Sequence, residues 1–177
     1  MSTDVLRLAG VHHLKLPVRD LARSEAWYQR TLGYRRAAEF VEGDELMGIG
    51  MTHPGGGPEL GIRRDPARAE AAAGFDYFSI GVPDRAGIEA LAVWLDHLGE
   101  RHGGVHRAMR GWILPYLHDP DGHEVRFYTI EEHSSYDDDR PLRDNAAPSI
   151  LANARRAAAY PPDQPIARAR RATTTTE

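Results

Sequence analysis

The sequence predicts an α+β fold in which one βαβββ unit occurs twice. The segment Trp112 to Tyr128, WILPYLHDPDGHEVRFY, has a counterpart 65 residues earlier, MGIGMTHPGGGPELGIR from Met47 to Arg63. Both run through a strand, a His, a Pro/Gly turn and a Glu in the same order. A second pair, HLKLPVRD from His13 to Asp20 and YFSIGVPD from Tyr77 to Asp84, is offset by 64 residues. Internal repetition at a fixed spacing indicates a duplicated structural unit.

In the first copy, a strand precedes a helix and further strands. Residues 11–18 alternate between apolar and polar positions, which is the period of a half-buried strand. Asp20 can cap the N-terminus of the following helix, and Gly33 can supply the left-handed residue that ends it. Further strands are predicted at 35–41 and 46–52, before the hairpin at the Pro/Gly turn.

The second copy repeats this order. A strand at 77–82 leads into a helix that Asp84 caps and Gly99 ends. Alternation and turn residues then predict three more strands, at 104–109, 112–117 and 123–130. Trp27 and Trp94 lie in the two helices and are expected in the core.

The repeat sets the expected domain limits. One domain is predicted at residues 10–130, with a first module at about 10–65 and a second at about 74–130. A domain of this size can be stable without disulfide bonds. The chain has no Cys, and this absence excludes a thiol nucleophile and a Cys-based zinc site. Residues 131–177 are expected to be a peripheral C-terminal extension, partly irregular, with one short helix from Pro148 to Ala159.

Composition restricts the partners. The chain has 177 residues, of which 41% are hydrophobic and 27% charged, as in an ordinary globular protein. A net charge of -4 gives no global attraction to nucleic acid. The N-terminus has no apolar h-region and no 18 apolar residues run together, so we expect a cytoplasmic protein that does not bind membranes.

Two motifs carry a family resemblance. HHLKLPVRDLARSEAWYQRTLGY, which begins at His12, and HDPDGHEVRFY, which begins at His118, resemble the vicinal oxygen chelate superfamily. This superfamily includes glyoxalase I, extradiol dioxygenases and bleomycin-resistance binding proteins. The resemblance implies an eight-stranded mixed sheet curled around a cavity, with the helices outside. Because members include both enzymes and metal-free binders, the fold does not name the function.

Strand alternation predicts which side chains line that cavity. If the wholly apolar faces pack beneath the helices, the opposite faces are left for a ligand. Those faces are polar and of mixed charge, with His13, Lys15, Glu59, Gly61, Arg63, Tyr77, Ser79, Glu124, Arg126 and Tyr128. The ligand-binding residues predicted from this set, together with two aromatic candidates for stacking, are Lys15, Ser79, Trp112, Tyr116, Arg126 and Tyr128.

The resemblance also implies the position of a metal. Metal-using relatives place a His on each first strand and a carboxylate or His on each closing strand, a ligand set that suits Fe, Mn, Ni or Zn. The matching positions here are His13, Gly61, Tyr77 and Arg126, and the Arg would repel a divalent cation. We therefore expect no metal cofactor. The alternative ligand set is His13, Glu59 and Glu124. Its two carboxylates come two residues before the family positions, and this shift of about 6 to 7 Å along the strands is expected to separate them from His13 unless a bulge corrects the register.

Three functional hypotheses follow. The first is a metal-independent protein that binds an aromatic or anionic metabolite, with Lys15 and Arg126 as charge clamps. The second is a metal-free enzyme in which His13, Tyr77 or Glu124 moves a proton beside a carbonyl group. The third is a metal-dependent lyase, isomerase or dioxygenase that uses the alternative ligand set. Superfamily members of this size commonly pair, so a C2 homodimer is also expected.

Overall fold

A computed structural model describes residues 10–133 as an α+β fold, as the sequence predicts. These residues form eight strands and three helices, in the order β1 (His13–Val18), α1 (Leu21–Leu32), β2 (Arg35–Glu42), β3 (Glu45–Thr52), β4 (Glu59–Arg64), α2 (Pro66–Ala72), β5 (Ser79–Val82), α3 (Arg85–Leu98), β6 (His106–Arg107), β7 (Trp112–His118) and β8 (Glu124–Thr129). The predicted duplication is confirmed, since each half of this region contributes β, α, β, β, β in turn.

The eight strands form two hydrogen-bonded sheets of four rather than one continuous ladder. The strand orders are β1-β4-β3-β2 and β5-β8-β7-β6, so the repeat in sequence is also a repeat in topology. In each sheet the first strand runs parallel to the last one, and the other pairs are antiparallel. The two first strands, β1 and β5, are therefore equivalent edges at which the ladders stop.

Local signals fixed the ends of the two long helices. Asp20 accepts a hydrogen bond from the backbone N–H of Arg23, and Asp84 accepts one from that of Gly87, as N-caps do. Gly33 and Gly99 end the helices in the left-handed region, with φ of 76° and 73°. All four predicted caps are confirmed.

Helix α2 was missed by the sequence analysis. Asp65 accepts a hydrogen bond from the backbone N–H of Arg68, and Pro66 stands at the start of the helix, where its missing N–H costs nothing. Asp-Pro before Ala-rich residues could therefore have indicated a helix, but the segment lies between the two repeated units, where no element was predicted. Two strands are also shorter than predicted, because β5 begins at Ser79 and β6 spans only His106–Arg107.

The core lies between the sheets and the long helices. Its buried members alternate along the strands except at an irregularity in β7, and they include Leu16, Val18, Ile49, Met51, Leu60, Ile62, Leu114, Leu117, Val125 and Phe127. Trp27 of α1 joins them with 6% of its surface exposed. The prediction that Trp94 is also a core residue is wrong, since 44% of its surface is exposed.

Within residues 10–133, no helix combines the length and the apolar character needed to cross a membrane. The helix predicted at Pro148 to Ala159 and nearly all of the predicted extension lie beyond His133, outside the described residues.

Candidate functional site

A cavity of about 420 Å³ lies between β1, α2 and the residues that lead into β5. We call it the β1–α2 pocket. It brings together two of the predicted site residues, Lys15 and Tyr77. Most of the remaining wall is apolar and comes from Leu14, Leu16, Pro17, Ala71, Ala72 and Phe78, while Arg68 adds a second cation.

Lys15 stands on the exposed face of β1, opposite the buried face that carries Leu16. Its ladder partner on β4 is Gly61, and a Cβ placed there would lie 3.9 Å from Cγ of Lys15. No acidic side chain of residues 10–133 pairs with Lys15, whereas Arg68 is held by Asp65 at 2.8 Å. Lys15 is also the only lysine of the whole chain, in which Lys and Arg together number 22. This pocket therefore contains an ammonium group that no described carboxylate neutralises.

Tyr77 lies just before β5, with 51% of its surface exposed. Its hydroxyl donates a 3.3 Å hydrogen bond to the carbonyl oxygen of Ala72, at the end of α2. Its ring makes edge contacts with the rings of Phe75 and His123, at centroid distances of 4.9 and 6.4 Å. With its proton committed to Ala72, the Tyr77 oxygen can still accept a hydrogen bond inside the pocket.

Arg126 and Glu124 neutralise one another rather than facing a ligand freely. Nη1 of Arg126 lies 2.6 Å from Asp76 Oδ2, and Nη2 lies 2.9 Å from Glu124 Oε1. The same Glu124 oxygen accepts hydrogen bonds from Nε of Arg126 and from the backbone N–H of Tyr116. Arg126 was predicted to be a charge clamp and Glu124 a base, but in this arrangement both side chains are bound to other protein groups.

His13 and Glu59 are direct ladder partners on β1 and β4, so no register offset separates them. Both are exposed, and Nδ1 of His13 lies 3.1 Å from Nδ1 of His12. The third member of the alternative ligand set, Glu124, belongs to the other sheet and is bound to Arg126. The predicted displacement of Glu59 is wrong, but the three ligands still do not assemble.

The residues at the implied metal positions do not fit a divalent cation. His13 offers an imidazole, and Gly61 has no side chain. The phenol of Tyr77 is hydrogen-bonded to a backbone carbonyl oxygen, and the guanidinium of Arg126 is held in ion pairs. Metal sites need several neutral imidazole or anionic oxygen donors around one point. Within residues 10–133, no three His, Asp or Glu side chains are grouped so that they could hold a metal ion.

The aromatic candidates are dispersed. Trp112 packs with the core, and the guanidinium carbon of Arg85 on α3 lies 5.4 Å from its ring centroid. It therefore faces the helix side of its sheet, and the prediction that it stacks on a cavity ligand does not suit this orientation.

Tyr116 has a φ of 64° inside a bulge that breaks the alternation of β7. Tyr128 accepts a hydrogen bond from the backbone N–H of Arg110, and Ser79 is the exposed ladder partner of Arg126.

A buried polar contact between the modules was not predicted. The β7–β8 turn places Asp121 against β1 and α1, where the carboxylate accepts hydrogen bonds from the N–H and Nε of Arg19, from Nη2 of Arg23 and from Oγ of Ser24. Burial alone would raise the pKa of Asp121, but the hydrogen bonds from Arg19 and Ser24 and the charge of Arg23 together hold the pKa below its usual value. Asp121 is fully buried as an ion with four donors.

Asp119 in the same turn completes this contact. Its Oδ2 accepts a 2.9 Å hydrogen bond from the hydroxyl of Tyr28 and lies 2.9 Å from Nδ1 of His123. Burial, followed by the charge and hydrogen bond of Asp119, raises the pKa of Tyr28 well above its usual value. We call Asp119 and Asp121 with their partners on α1 the module clasp. Ser24 and Tyr28 lie one turn apart on the buried face of α1. Two polar residues on an otherwise apolar face could have indicated a buried polar contact there.

Solved structures with the same fold are similar to this chain at low identity. A glyoxalase/bleomycin resistance protein/dioxygenase domain from Frankia sp. EAN1pec is 24% identical, with a TM-score of 0.56 over 70% of this chain and 98% of its own. A lactoylglutathione lyase from Agrobacterium tumefaciens is 17% identical, with a TM-score of 0.56 over 70% and 95%. An antibiotic binding protein from Streptomyces sp. CB03234 is 17% identical, with a TM-score of 0.55 over 71% and 98%. Likeness at this level establishes the fold alone.

A search of curated proteins found no match. The sequence itself matches a family model over residues 10–127, about two thirds of the chain. With the duplicated βαβββ topology, this match shows that the chain belongs to the Glyoxalase/Bleomycin resistance protein/Dioxygenase superfamily, the vicinal oxygen chelate superfamily that its motifs resemble.

Proposed function

We propose that the protein binds a small organic anion with an apolar or aromatic body in the β1–α2 pocket, without the metal that many relatives use. The observation that carries this proposal is the Lys15 ammonium, which lines an apolar cavity and has no acidic partner in residues 10–133. A volume of about 420 Å³ suits a small molecule. Apolar walls with one unneutralised charge favour a ligand that carries one anionic group on a hydrophobic body.

Each part of the pocket has a role in this proposal. Lys15, on the exposed face of β1, pairs with the carboxylate, sulfonate or phosphate of the ligand. Arg68, whose side chain is 82% exposed, contributes a weaker and more screened attraction at the rim. The ring of Tyr77 covers the body of the ligand, and its hydroxyl oxygen accepts a hydrogen bond from a donor on the ligand.

Binding is favoured over acid–base catalysis by the distribution of the predicted catalytic residues. Of His13, Tyr77 and Glu124, only Tyr77 lines the pocket. A general base must reach the proton that it removes, within about 3.2 Å or through one water. Glu124 is tied to Arg126, and His13 lies at the exposed start of β1, so neither supports proton transfer in the pocket.

Because Lys15 is the only lysine, amine labelling can test this proposal. We expect 2-naphthoate, used as an anionic aromatic probe, to slow acetylation of Lys15 by acetic anhydride, with the α-amino group of the same chain as an internal control. In calorimetric titration, Lys15→Met keeps the stem but removes the charge, and should weaken 2-naphthoate about tenfold or more. Arg85→Met is the matched control, because Arg85 packs on Trp112, away from the pocket. Equal labelling rates with and without saturating probe would refute the proposal.

We also propose that two copies form a C2 homodimer. Strand β2 is exposed along all of its eight residues, and Phe40 and Val41 each have 55% of their surface exposed. A long edge strand with apolar side chains tends to associate with other chains, so proteins usually cover it. The same strand of a second copy would cover it here. Light scattering of the full chain at micromolar concentration should give a dimer, and Phe40→Ser should shift it toward the monomer. A monomer at every concentration would disprove this assembly.

A further inference from the structure

A second cavity, of about 630 Å³, is also lined by residues of both modules. We call it the α1–β5 pocket. Its walls come from the C-terminal end of α1, the glycine-rich hairpin between β3 and β4, and the helix-facing side of β5, α3 and β8. Among the residues that the structure describes, the two pockets have no lining residue in common. A ligand there would therefore occupy a separate site.

The walls of this pocket are apolar and include a fixed indole ring. Ile80, Val82, Leu91 and Phe127 form the floor. The indole N–H of Trp94 donates a 3.0 Å hydrogen bond to the carbonyl oxygen of Thr31, which holds the ring between α3 and α1. One face of the Trp94 ring stacks on His97 at a centroid distance of 5.9 Å, and the residue remains 44% exposed, so the opposite face is left for an aromatic ring of a ligand.

His53 supplies a hydrogen-bond donor of known position. The backbone N–H of Gly55 donates to Nδ1 of His53 at 3.1 Å. A backbone N–H can only donate, so Nδ1 is the acceptor and the proton of the neutral ring resides on Nε2. Nε2 has no acceptor among residues 10–133, and its neighbour Gly33 has no side chain to cover it, since a Cβ there would be in contact at 3.5 Å. This N–H is therefore free to bind an oxygen of a ligand.

The charges around the pocket select against ions. Arg30 is the one Lys or Arg that lines it in the described chain, and Arg30 is paired with Glu100. An anion would find no free cation there, and a cation would find no carboxylate among the described lining residues. Burial of an unpaired charge against the apolar floor is costly, so the pocket favours an uncharged molecule.

We propose that the α1–β5 pocket is a second ligand site, which binds an uncharged flat aromatic molecule that carries a carbonyl oxygen. The aromatic body stacks on Trp94 over the floor formed by Ile80 and Phe127, and the oxygen accepts the Nε2–H of His53. This site differs in ligand class from the first one, which selects an anion through Lys15.

The test uses 2-acetonaphthone as the uncharged probe and 2-ethylnaphthalene as the analogue without oxygen, both with the full chain. In nitrogen-15 NMR spectra, the indole N–H signal of Trp94 should move on addition of the ketone, while those of Trp27 and Trp112 stay. His53→Phe keeps a ring but removes the donor, and should weaken the ketone roughly threefold to tenfold without affecting the hydrocarbon. His118→Phe is the matched control, because His118 is the repeat counterpart of His53 and lies outside the pocket.

The results separate this proposal from the function proposed for the first pocket. Loss of ketone binding in Lys15→Met but not in His53→Phe would place the ketone in the β1–α2 pocket and overturn the second site. An unmoved Trp94 signal near saturation, or equal affinity of wild type and His53→Phe, would also overturn it. If His53→Phe fails to fold, the NMR titration of the wild type still decides, since it needs no variant.

Discussion

The hydroxyl of Ser24 donates a 2.8 Å hydrogen bond to Asp121 across 97 residues of sequence, and both side chains are fully buried. With the Tyr28–Asp119 bond, this contact fastens the turn of the second module to the helix of the first. No strand ladder of the described chain crosses between the sheets, so their relative position depends on side-chain contacts, in the shared hydrophobic core and in this buried polar contact. A buried ion with four donors is costly to disrupt, because loss of any partner leaves the others unsatisfied.

The first prediction concerns Asp121→Asn. The amide keeps the shape but loses the charge that Arg19 and Arg23 share, and its NH₂ group cannot accept from Ser24 or Arg19. We expect a loss of about 1 to 3 kcal/mol in the free energy of unfolding, measured by urea denaturation. Asp84→Asn is the control and should change little, because Asn caps a helix as well as Asp. Equal stability of wild type and Asp121→Asn would show that the clasp does not hold the modules together.

The second prediction is the pH dependence of the same residue. The folded state lowers the pKa of Asp121, so at acidic pH the unfolded chain binds this proton more readily than the folded one does. The contribution of Asp121 is complete above the pKa of an unfolded Asp, about 3.9, and is lost as pH falls below that value through the lowered folded pKa. The stabilities of wild type and Asp121→Asn should therefore converge as the pH falls below about 4. A constant difference below that pH would contradict the assignment.

The third prediction concerns the alkaline limit and Tyr28. Its pKa is raised in the folded state, by burial first and then by Asp119, so its contribution is complete below about pH 10 and is lost as pH rises further. Tyr28→Phe should cost about 1 kcal/mol at pH 8 through the lost hydrogen bond to Asp119. The variant should then lose less stability than wild type between about pH 10 and pH 12. Parallel stability curves over that interval would exclude Tyr28 as the cause.

The sequence predicted the features that depend on local rules. Asp20 and Gly33 indicate the ends of α1 because capping involves only neighbouring residues. The repeat in the sequence indicated the strand topology because duplicated units keep the order of their elements. The module clasp is a long-range contact, and nothing in the spacing of Asp119 and Asp121 states which surface they meet. A turn rich in Asp, Pro and Gly is usually exposed, so burial of this one was not foreseen.

The candidate site was predictable only in part, for a related reason. Alternation assigns a side chain to a face, which placed Lys15 correctly opposite Leu16. It does not show which residues are neighbours on that face, so the ion pair between Arg126 and Asp76 could not be predicted. Alternation also fails at a bulge, which is why Tyr116 could not be assigned from its position in β7.

The fourth prediction tests the pairing of Arg126. Arg126→Met leaves the buried Glu124 with only the backbone N–H of Tyr116 and leaves Asp76 unpaired. We expect a loss of about 2 to 4 kcal/mol in the free energy of unfolding, since an uncompensated buried carboxylate is strongly unfavourable. Adding Glu124→Gln should recover part of that loss. Arg63→Met, which breaks a pair with Glu42 at a more exposed position, should cost less than about 1 kcal/mol.

The fifth prediction concerns metal affinity at the same position. If the donors at the implied metal site do not fit, the wild-type chain should bind Mn²⁺ or Zn²⁺ weakly in calorimetric titration, and His13→Ala should not change that. Arg126→Glu replaces the repelling cation with a third carboxylate beside Asp76 and Glu124. This variant should be less stable than wild type without metal, because three carboxylates repel one another, and Mn²⁺ should raise its melting temperature more than that of an Arg126→Gln control. Tight one-to-one binding by the wild type that His13→Ala or Glu59→Ala abolishes would mean that a metal does assemble the ligands that lie apart in the structure, and the metal-free proposal would be wrong.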